Sequence, residues 1–222
     1  MKNLVVIVEG SSKPPEGIPY DPEANILRTS FNALFATQIS KLRNASNPVK
    51  LNFEEGYGFT DCRETYFNVK IENEPNKKYW LLLDSDKYFD AERTDAVTFF
   101  DTIKQKQTKE GRGLADMGLK DDELYFMVRE MEAWLIADLE GLCSFLGLNY
   151  DSLNINVNDK IEILRKSDVK KILDNTFQRS GNPRHSKYKK IEGLKAVAKL
   201  NTQTLRERLP NFQRFITALE SL

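Results

Sequence analysis

The hydrophobic positions of the chain fall into short continuous runs that alternate with longer stretches of helical spacing. Continuous apolar runs fill most of the segments 3–8, 79–83 and 123–128, the first and last of which each begin with one polar residue, and an alternating pattern lies at 48–56. Runs of this length between polar residues are typical of strands buried on both faces of a sheet. The pattern therefore predicts four strands.

The stretches between and after these strands carry apolar residues three or four positions apart, which is the period of a buried helix face. Helices are predicted at 25–44, 60–73, 90–106, 129–148, 158–178, 188–200 and 202–221. We expect Thr60 or Asp61 to cap the second of them and a break near Asp138 in the fourth. Strands that alternate with helices predict an α/β fold, a Rossmann-like, mostly parallel sheet covered by helices. We divide the chain into an α/β domain, 1–150, and a helical C-terminal subdomain, 151–222, packed on it.

The charges of the chain balance overall but are unevenly spread. Residues 1–157 carry 18 Lys and Arg against 26 Asp and Glu, a net charge of −8, and residues 158–222 carry 15 against 7, a net charge of +8. A basic helical surface is typical of solvated, lysine-rich helices, and it fits a polyanionic partner such as DNA or RNA if the acidic part of the chain acts on one.

The numbers of histidines and cysteines and the length of the apolar runs limit the kinds of site and the location that we expect. His185 is the single histidine, which argues against zinc sites and against catalysis by a histidine base. The two cysteines are far apart, so we expect a reduced, cytoplasmic protein without disulfides. No apolar run approaches the ~18 residues of a membrane span, so no membrane partner is expected.

Acidic side chains follow three of the predicted strands. Glu9 ends the first, Asp84 and Asp86 follow the third, and Glu130 and Glu132 follow the fourth. Because the carboxyl ends of parallel strands meet at one edge of a sheet, these acids are expected to converge there. Carboxylates without His or Cys are the ligands of Mg²⁺ or Mn²⁺, which would also relieve their mutual repulsion.

These motifs carry a resemblance that spans nearly the whole chain. A Glu-Gly after the first strand and an Asp-x-Asp after a later strand resemble the Toprim (topoisomerase–primase) domain. The segments that add to this are Arg63-Glu64-Thr65-Tyr66, FMVREMEAWLIADLEGL at 126–142 and KYKKIEGLKAVAKLN at 187–201. With them the chain looks like a bacterial Toprim-like family of unknown function, often encoded beside ABC-type ATPases in anti-phage defence islands.

The resemblance implies roles for individual residues. Glu9, Asp84 and Asp86 match the catalytic, Mg²⁺-holding acids of the Toprim domain. Glu132 matches the glutamate of a Met-Glu-x-Trp motif and is a candidate metal ligand, and Lys190 matches a lysine of the tail motif that can contact a phosphate. A further acid is expected soon after Gly10, where the chain has SSKPPEGIPYDPE, and Glu16 or Glu23 is a candidate for that role.

The implied function is a Mg²⁺-dependent nuclease that acts as an effector with an ATPase partner. Metal ions at this edge would activate a water for phosphodiester cleavage. Besides Lys190, three cationic residues are candidates for contacts with nucleic acid: Arg63, Lys87 and Lys187.

Other functions remain open. A haloacid-dehalogenase-type phosphatase also places Asp-x-Asp after a hydrophobic strand, although usually the first strand and not the third. A response-regulator receiver needs paired acids after its first strand, where this chain has Glu9-Gly10. A non-catalytic adaptor would bind an ATPase or nucleic acid without needing Glu9, Asp84 and Asp86 to converge.

Overall fold

A computed structural model describes residues 1–10, 22–72, 74–85, 119–128, 130–153, 157 and 161–222. The described part contains a parallel sheet in the order β2-β1-β3-β4. Its strands are β1 (Lys2–Glu9), β2 (Val49–Gly56), β3 (Lys77–Asp84) and β4 (Leu124–Met127). The predicted α/β fold with a parallel sheet covered by helices is confirmed.

Helices precede, connect and follow these strands. They are α1 (Pro22–Leu34), α2 (Ala36–Asn44), α3 (Gly58–Glu72), α4 (Glu132–Ala137), α5 (Leu139–Leu146), α6 (Lys166–Arg179), α7 (Lys190–Val197), α8 (Thr202–Arg208) and α9 (Pro210–Glu220). Single 3₁₀ turns lie at Asp121–Glu123, Tyr150–Ser152, Ile161–Ile163 and Pro183–His185. No helix within the described ranges is long and apolar enough to cross a bilayer.

The sheet buries a different set of side chains on each face. In β1, Leu4, Val6 and Val8 belong to the larger apolar cluster, whereas Val5 and Ile7 belong to a smaller one. The larger cluster includes residues of α1, α2 and the helices after β4, and the smaller one includes residues of α3. Burial on both faces is why the strand reads as one continuous apolar run.

The C-terminal helices share the larger cluster with the sheet domain. The ring of Phe212 lies 4.8 Å from that of Trp134 and 5.8 Å from that of Phe35. Phe215 contacts Phe35 edge-on at 5.6 Å and Tyr125 of β4 at 5.1 Å. Residues 151–222 are therefore built into the core that covers one face of the sheet.

Several predicted helix bounds are wrong. The helix predicted at 25–44 is two helices, separated at Phe35, where φ is −96° and ψ is 18°. The helix predicted at 202–221 is also two, because Pro210 begins a new helix and the residue before a proline disfavours helical geometry. The helix predicted at 158–178 reduces to a 3₁₀ turn followed by α6.

Two other predictions about helices have different outcomes. The predicted cap at Thr60 or Asp61 is wrong: α3 begins at Gly58, where a φ of 79° turns the chain out of β2. Asp61 instead reaches back to accept a hydrogen bond from the Tyr57 N–H at 3.0 Å. The break at Asp138 is confirmed, and its side chain caps α5. The predicted helix at 90–106 lies outside the described residues.

Candidate carboxylate site at the sheet edge

The acids at the strand ends share one edge because all four strands are parallel. Glu9 ends β1 and Asp84 ends β3, and these two strands are hydrogen-bonded neighbours. β2 lies on the other side of β1, so the chain connections diverge between β1 and β3. Such a switch point at the carboxyl edge is the usual place for a ligand in open α/β sheets.

Asp84 and Glu9 are in direct contact. The backbone N–H of Asp84 donates to Glu9 Oε2 at 3.1 Å. The Asp84 Oδ1 atom is shielded from solvent and has no hydrogen-bond partner within the described part of the chain. Burial raises the pKa of the Asp84 carboxyl well above its usual value, and the negative charges of Glu9 and Glu132 raise it further. Among the described residues, the Asp84 Oδ1 atom therefore lacks a donor, and the carboxylate form of Asp84 is disfavoured.

The turn after β4 holds two more acids near Asp84. The carbonyl oxygen of Met127 accepts the N–H of Ser85 at 3.3 Å and that of Glu130 at 3.1 Å, which joins the end of β3 to this turn. Glu130 adopts a φ of 73°, a left-handed conformation that costs a non-glycine residue free energy. Its carboxylate pairs with Lys166. Both Glu130 and Glu132 add negative potential at Asp84.

A segment from the C-terminal helices covers this acidic edge. The Tyr188 hydroxyl donates to Glu132 Oε1 at 2.7 Å, and the Tyr188 ring packs edge-on against Phe177 at 5.4 Å. Gly193 makes room for Tyr188, because a Cβ at Gly193 would lie 2.5 Å from the Tyr188 hydroxyl oxygen. The ammonium group of Lys190 donates to the Gly10 carbonyl at 3.4 Å. Its charge lowers the pKa of Asp84, against the dominant effects of burial and of Glu9.

Glu55, at the end of β2, is an acid of this edge that the sequence reasoning missed. Its side chain lies over Gly10, where an added Cβ would come within 2.0 Å of Glu55 Oε1. Glu55-Gly56 repeats at the end of β2 the Glu9-Gly10 pair that ends β1. That repeated Glu-Gly was the signal available in the sequence.

The negative charges of these carboxylates also act on the buried thiol of Cys62. Burial raises the pKa of Cys62, and the negative charges of Glu9, Asp61, Asp84 and Glu55 raise it further. Acids from β1, β2 and β3 therefore act on one buried atom. All of these strands contribute negative charge to the edge.

The predicted site residues have mixed outcomes. Glu9, Asp84, Glu132 and Lys190 come together at the edge. Asp86 and Lys87 lie outside the described residues, as do Glu16 and the side chain of Glu23. Two other residues predicted to contact nucleic acid, Arg63 and Lys187, differ in their exposure to solvent. Arg63 is buried, with 10% of its side chain exposed and Glu64 as an ion-pair partner at 3.9 Å, whereas Lys187 is exposed. Their contacts with nucleic acid stay predictions.

Part of the basic excess of residues 158–222 is structural. Arg208 donates to the carbonyls of Ala137 and Val157, and Arg214 donates to that of Leu124 at 3.0 Å. Arg179 donates to the carbonyl of Leu153. These arginines hold chain segments together, so the lysines supply more of the accessible positive charge. Lys170, Lys171, Lys187 and Lys189 are exposed.

The chemistry of the edge fits a hard divalent cation, although the described residues do not complete a site. An Asp84 oxygen to which no described residue donates and a neighbouring Glu9 carboxylate are oxygen ligands of the kind that Mg²⁺ takes. Within the described ranges no three His, Cys, Asp or Glu side chains form a group that could hold one ion. Asp86, which would add a third oxygen donor beside Asp84, lies outside them.

Residues 22–220 match the model of a protein family described as Domain of unknown function (DUF4276). The chain belongs to this family. The DUF4276 match includes Asp84, Glu132, Tyr188 and Lys190, whereas Glu9 on β1 precedes it. No curated protein and no solved structure matches the chain.

Proposed function

We propose that this DUF4276 protein is a Mg²⁺- or Mn²⁺-dependent nuclease of the cytoplasm, with its site at the carboxyl edge of the sheet. The observation that carries the proposal is the environment of Asp84. A carboxylate whose Oδ1 is shielded from solvent and has no donor among the described residues, beside Glu9 and under the potential of further acids, is stabilised when a cation joins it. An acid at a position where burial and neighbouring negative charges disfavour its carboxylate form points to a ligand.

Glu9, Asp84 and Asp86 would hold the cation, with Glu132 as a further candidate ligand. The cation would lower the pKa of a bound water and stabilise the negative charge that develops on the phosphoryl oxygens. Glu9, on the Asp84 backbone N–H, is placed to fix the position of the Asp84 carboxylate or to take a proton from a water.

Cationic residues of the C-terminal part would orient the nucleic acid. Lys190 brings its positive charge to the strand ends, where a scissile phosphate would lie. Lys187, three residues before the start of α7 at Lys190, is exposed and would contact the phosphate backbone nearby. Arg63 and Lys87 complete the set of cations that we propose for DNA or RNA.

A role with an ATPase in anti-phage defence rests on the resemblance to the Toprim-like family. A nuclease that damages its own cell must be held inactive, so we propose that the chain alone cuts weakly and that an ABC-type ATPase partner activates it. The exposed, charged helices of residues 158–222 are the surface that we assign to such a partner.

Metal binding is tested by calorimetry with Mg²⁺ and with Mn²⁺ on the wild type and on Asp84→Asn and Glu9→Gln. We expect binding to the wild type and at least a tenfold loss of affinity in each variant, since each removes a charged oxygen ligand. Glu140→Gln, which removes an exposed carboxylate from α5, is the matched control and should bind like the wild type. Equal binding by all four proteins contradicts a cation site at Asp84.

Nuclease activity is tested in infected cells that carry the neighbouring ATPase, with wild type, Asp84→Ala and Glu9→Ala. Cell survival and nucleic-acid integrity are followed, and both variants should lose protection while Glu140→Gln keeps it. If both alanine variants protect as well as the wild type, the nuclease proposal fails.

An adaptor without catalysis is the second candidate, and the hydrogen bonds of the edge favour it in one respect. Glu132 is already engaged by Tyr188, and Lys190 partly offsets the charge at Asp84, so the edge is partly neutralised by the protein itself. An adaptor predicts that Lys190→Met abolishes protection while Asp84→Asn preserves it. A nuclease predicts that Asp84→Asn abolishes protection.

A phosphatase with an Asp-x-Asp site would hydrolyse a small phosphate ester such as p-nitrophenyl phosphate and leave nucleic acid intact.

A further inference from the structure

The outer edge of β2 lies between two open grooves. Within the described part of the chain, no strand pairs with this edge. A groove of about 780 Å³ runs between α2 and β2, with Ile39, Arg43 and Leu51 among its lining residues. A second groove of about 320 Å³ lies on the α3 side and is lined in part by Lys50 and Glu54. The edge is therefore approachable from both faces of the sheet.

The hydrogen bonds to β1 determine which backbone groups of β2 point outward. Lys2 N–H donates to the Pro48 carbonyl at 3.3 Å, and Gly10 N–H donates to the Gly56 carbonyl at 2.8 Å. Because backbone groups alternate along a strand, the even-numbered residues of β2 face β1. The N–H and C=O groups of Leu51 and Phe53 consequently point away from the sheet, where another strand can bond to them.

The side chains alternate in the same register. Leu51 and Phe53 are buried in the larger apolar cluster, whereas Lys50 and Glu54 are exposed on the opposite face, on either side of Asn52. A positive and a negative residue thus stand two positions before and two positions after Asn52. This arrangement is complementary to itself when the strand direction is reversed.

We propose that two copies of the chain pair through β2, antiparallel about a two-fold axis at Asn52, to form one continuous sheet. Leu51 of each copy would then form a hydrogen-bonded pair with Phe53 of the other, which uses the outward backbone groups. Lys50 of each copy would face Glu54 of the other in non-hydrogen-bonded pairs, where opposing side chains come closest.

Other registers lose this complementarity. A shift of two residues in one direction sets Lys50 opposite Asn52 and Glu54 opposite Pro48, and a shift in the other direction sets Lys50 opposite Gly56. A shift of one residue sends the apolar side chains to the wrong face. The register centred on Asn52 alone pairs both charges with their opposites.

The same charges argue for a second copy as the occupant. Charged residues on an edge strand commonly prevent strand pairing, but they do so when like charges meet. In β2 opposite charges meet in the two-fold arrangement, which is the isologous contact of most homodimers. The α2 groove adds apolar surface, because Ile39 lines it and Met1, the most exposed large hydrophobic residue among those described, is 73% exposed there.

Sedimentation of the full chain tests the proposal by charge reversal. The wild type should be a dimer at micromolar concentration. Lys50→Glu and Glu54→Lys should each raise the dissociation constant about tenfold or more, because each places like charges opposite one another at both ends of the interface. An equimolar mixture of these two variants should recover the dimer, and so should the double variant Lys50→Glu with Glu54→Lys.

Lys170→Glu, which reverses an exposed lysine on α6, is the control and should sediment like the wild type. Circular dichroism of each variant shows whether it folds, and exposed positions on β2 are expected to leave folding intact. A monomeric wild type at about 100 μM overturns the proposal. A dimer that persists unchanged in both single variants also overturns it, because another surface would then hold the copies together.

Discussion

At the scale of single residues, Asp84 is expected to destabilise the cation-free protein. Burial and the charge of Glu9 raise its pKa in the folded state above the ordinary value of about 3.9, so the folded protein binds a proton more tightly than the unfolded chain. Stability should therefore fall as pH rises from about 4 through the folded-state pKa. In the presence of a chelator, Asp84→Asn should exceed the wild type in free energy of unfolding at pH 7, because burial and the neighbouring acids make the carboxylate form of Asp84 less favourable in the folded than in the unfolded state.

Urea unfolding at several pH values measures this difference. The gap between wild type and Asp84→Asn should close below about pH 3, where Asp84 is protonated in both the folded and the unfolded state. Glu140→Gln, with an exposed carboxylate, should follow the wild type at every pH. Parallel pH profiles for wild type and Asp84→Asn would show that Asp84 is not strained as a carboxylate.

Glu130 permits a test of backbone strain at the same edge. Its φ of 73° favours glycine at this position. The ion pair between Glu130 and the exposed Lys166 contributes little to the free energy of unfolding. We expect Glu130→Gly to be more stable than Glu130→Ala by about 1 kcal/mol, the reverse of the order in a helix. Thermal or urea unfolding of the two variants compares them directly, and an alanine variant more stable than the glycine variant would contradict the strain.

Some residues of the site could be predicted from the sequence, whereas Glu55 and the contact between Tyr188 and Glu132 could not. Glu9, Asp84 and Glu132 could be placed at one edge because a parallel sheet brings strand ends together. Glu55 was missed, although it also precedes a glycine at a strand end, because β2 alternates and its last acids resemble solvated positions. The hydrogen bond from Tyr188 to Glu132 joins positions 56 apart, which no local pattern reports.

At the scale of elements, the packing of α7 depends on a glycine. Alanine in place of a helical glycine usually stabilises by about 0.5–1 kcal/mol. At Gly193 the new Cβ would meet the Tyr188 ring at 2.7 Å and its hydroxyl at 2.5 Å. We therefore expect Gly193→Ala to destabilise the protein by about 1–3 kcal/mol, measured by urea unfolding.

A double-mutant cycle isolates the cause. With Tyr188→Ala as the background, the same Gly193→Ala change should become neutral or stabilising, because the ring that it displaces is gone. If Gly193→Ala destabilises equally in both backgrounds, the clash with Tyr188 is not the reason. Tyr188→Ala would also remove the hydroxyl group that donates a hydrogen bond to the Glu132 carboxylate.

Element boundaries were predicted less well than element types. Periodicity at 25–44 continues through Phe35, because a buried aromatic residue fits the apolar face whether or not the helix is continuous. The break at Leu209 had a local signal in Pro210, which the apolar period of 202–221 outweighed. Asp138, a polar residue inside an apolar stretch, gave the one break that was expected.

At the scale of the whole molecule, the C-terminal helices and the sheet should unfold together. Phe212, which is 1% exposed, contacts Trp134 and Phe35 from the other part of the chain. Phe212→Ala should lower the free energy of unfolding by about 3–5 kcal/mol. Tryptophan fluorescence and far-ultraviolet circular dichroism should shift by the same amount, since both tryptophans precede residue 151.

Leu222→Ala serves as the control, because Leu222 is 40% exposed and its loss should change stability little. Two separate transitions in the wild type, one by each probe, would contradict the shared core. A single transition that Phe212→Ala moves as a whole is the expected result.

The central position of β1 has a consequence for how the chain is made. β1 precedes both of its neighbours in the sequence, yet Asn3 pairs with Lys50 on one side and with Lys77 on the other. At a synthesis rate of about 5–20 residues per second, the ribosome needs ~4–15 s to extend from the first of these residues to the last. During that time the apolar strand LVVIV lacks one or both of its partner strands, so we expect chaperones that bind extended hydrophobic segments to bind the nascent chain.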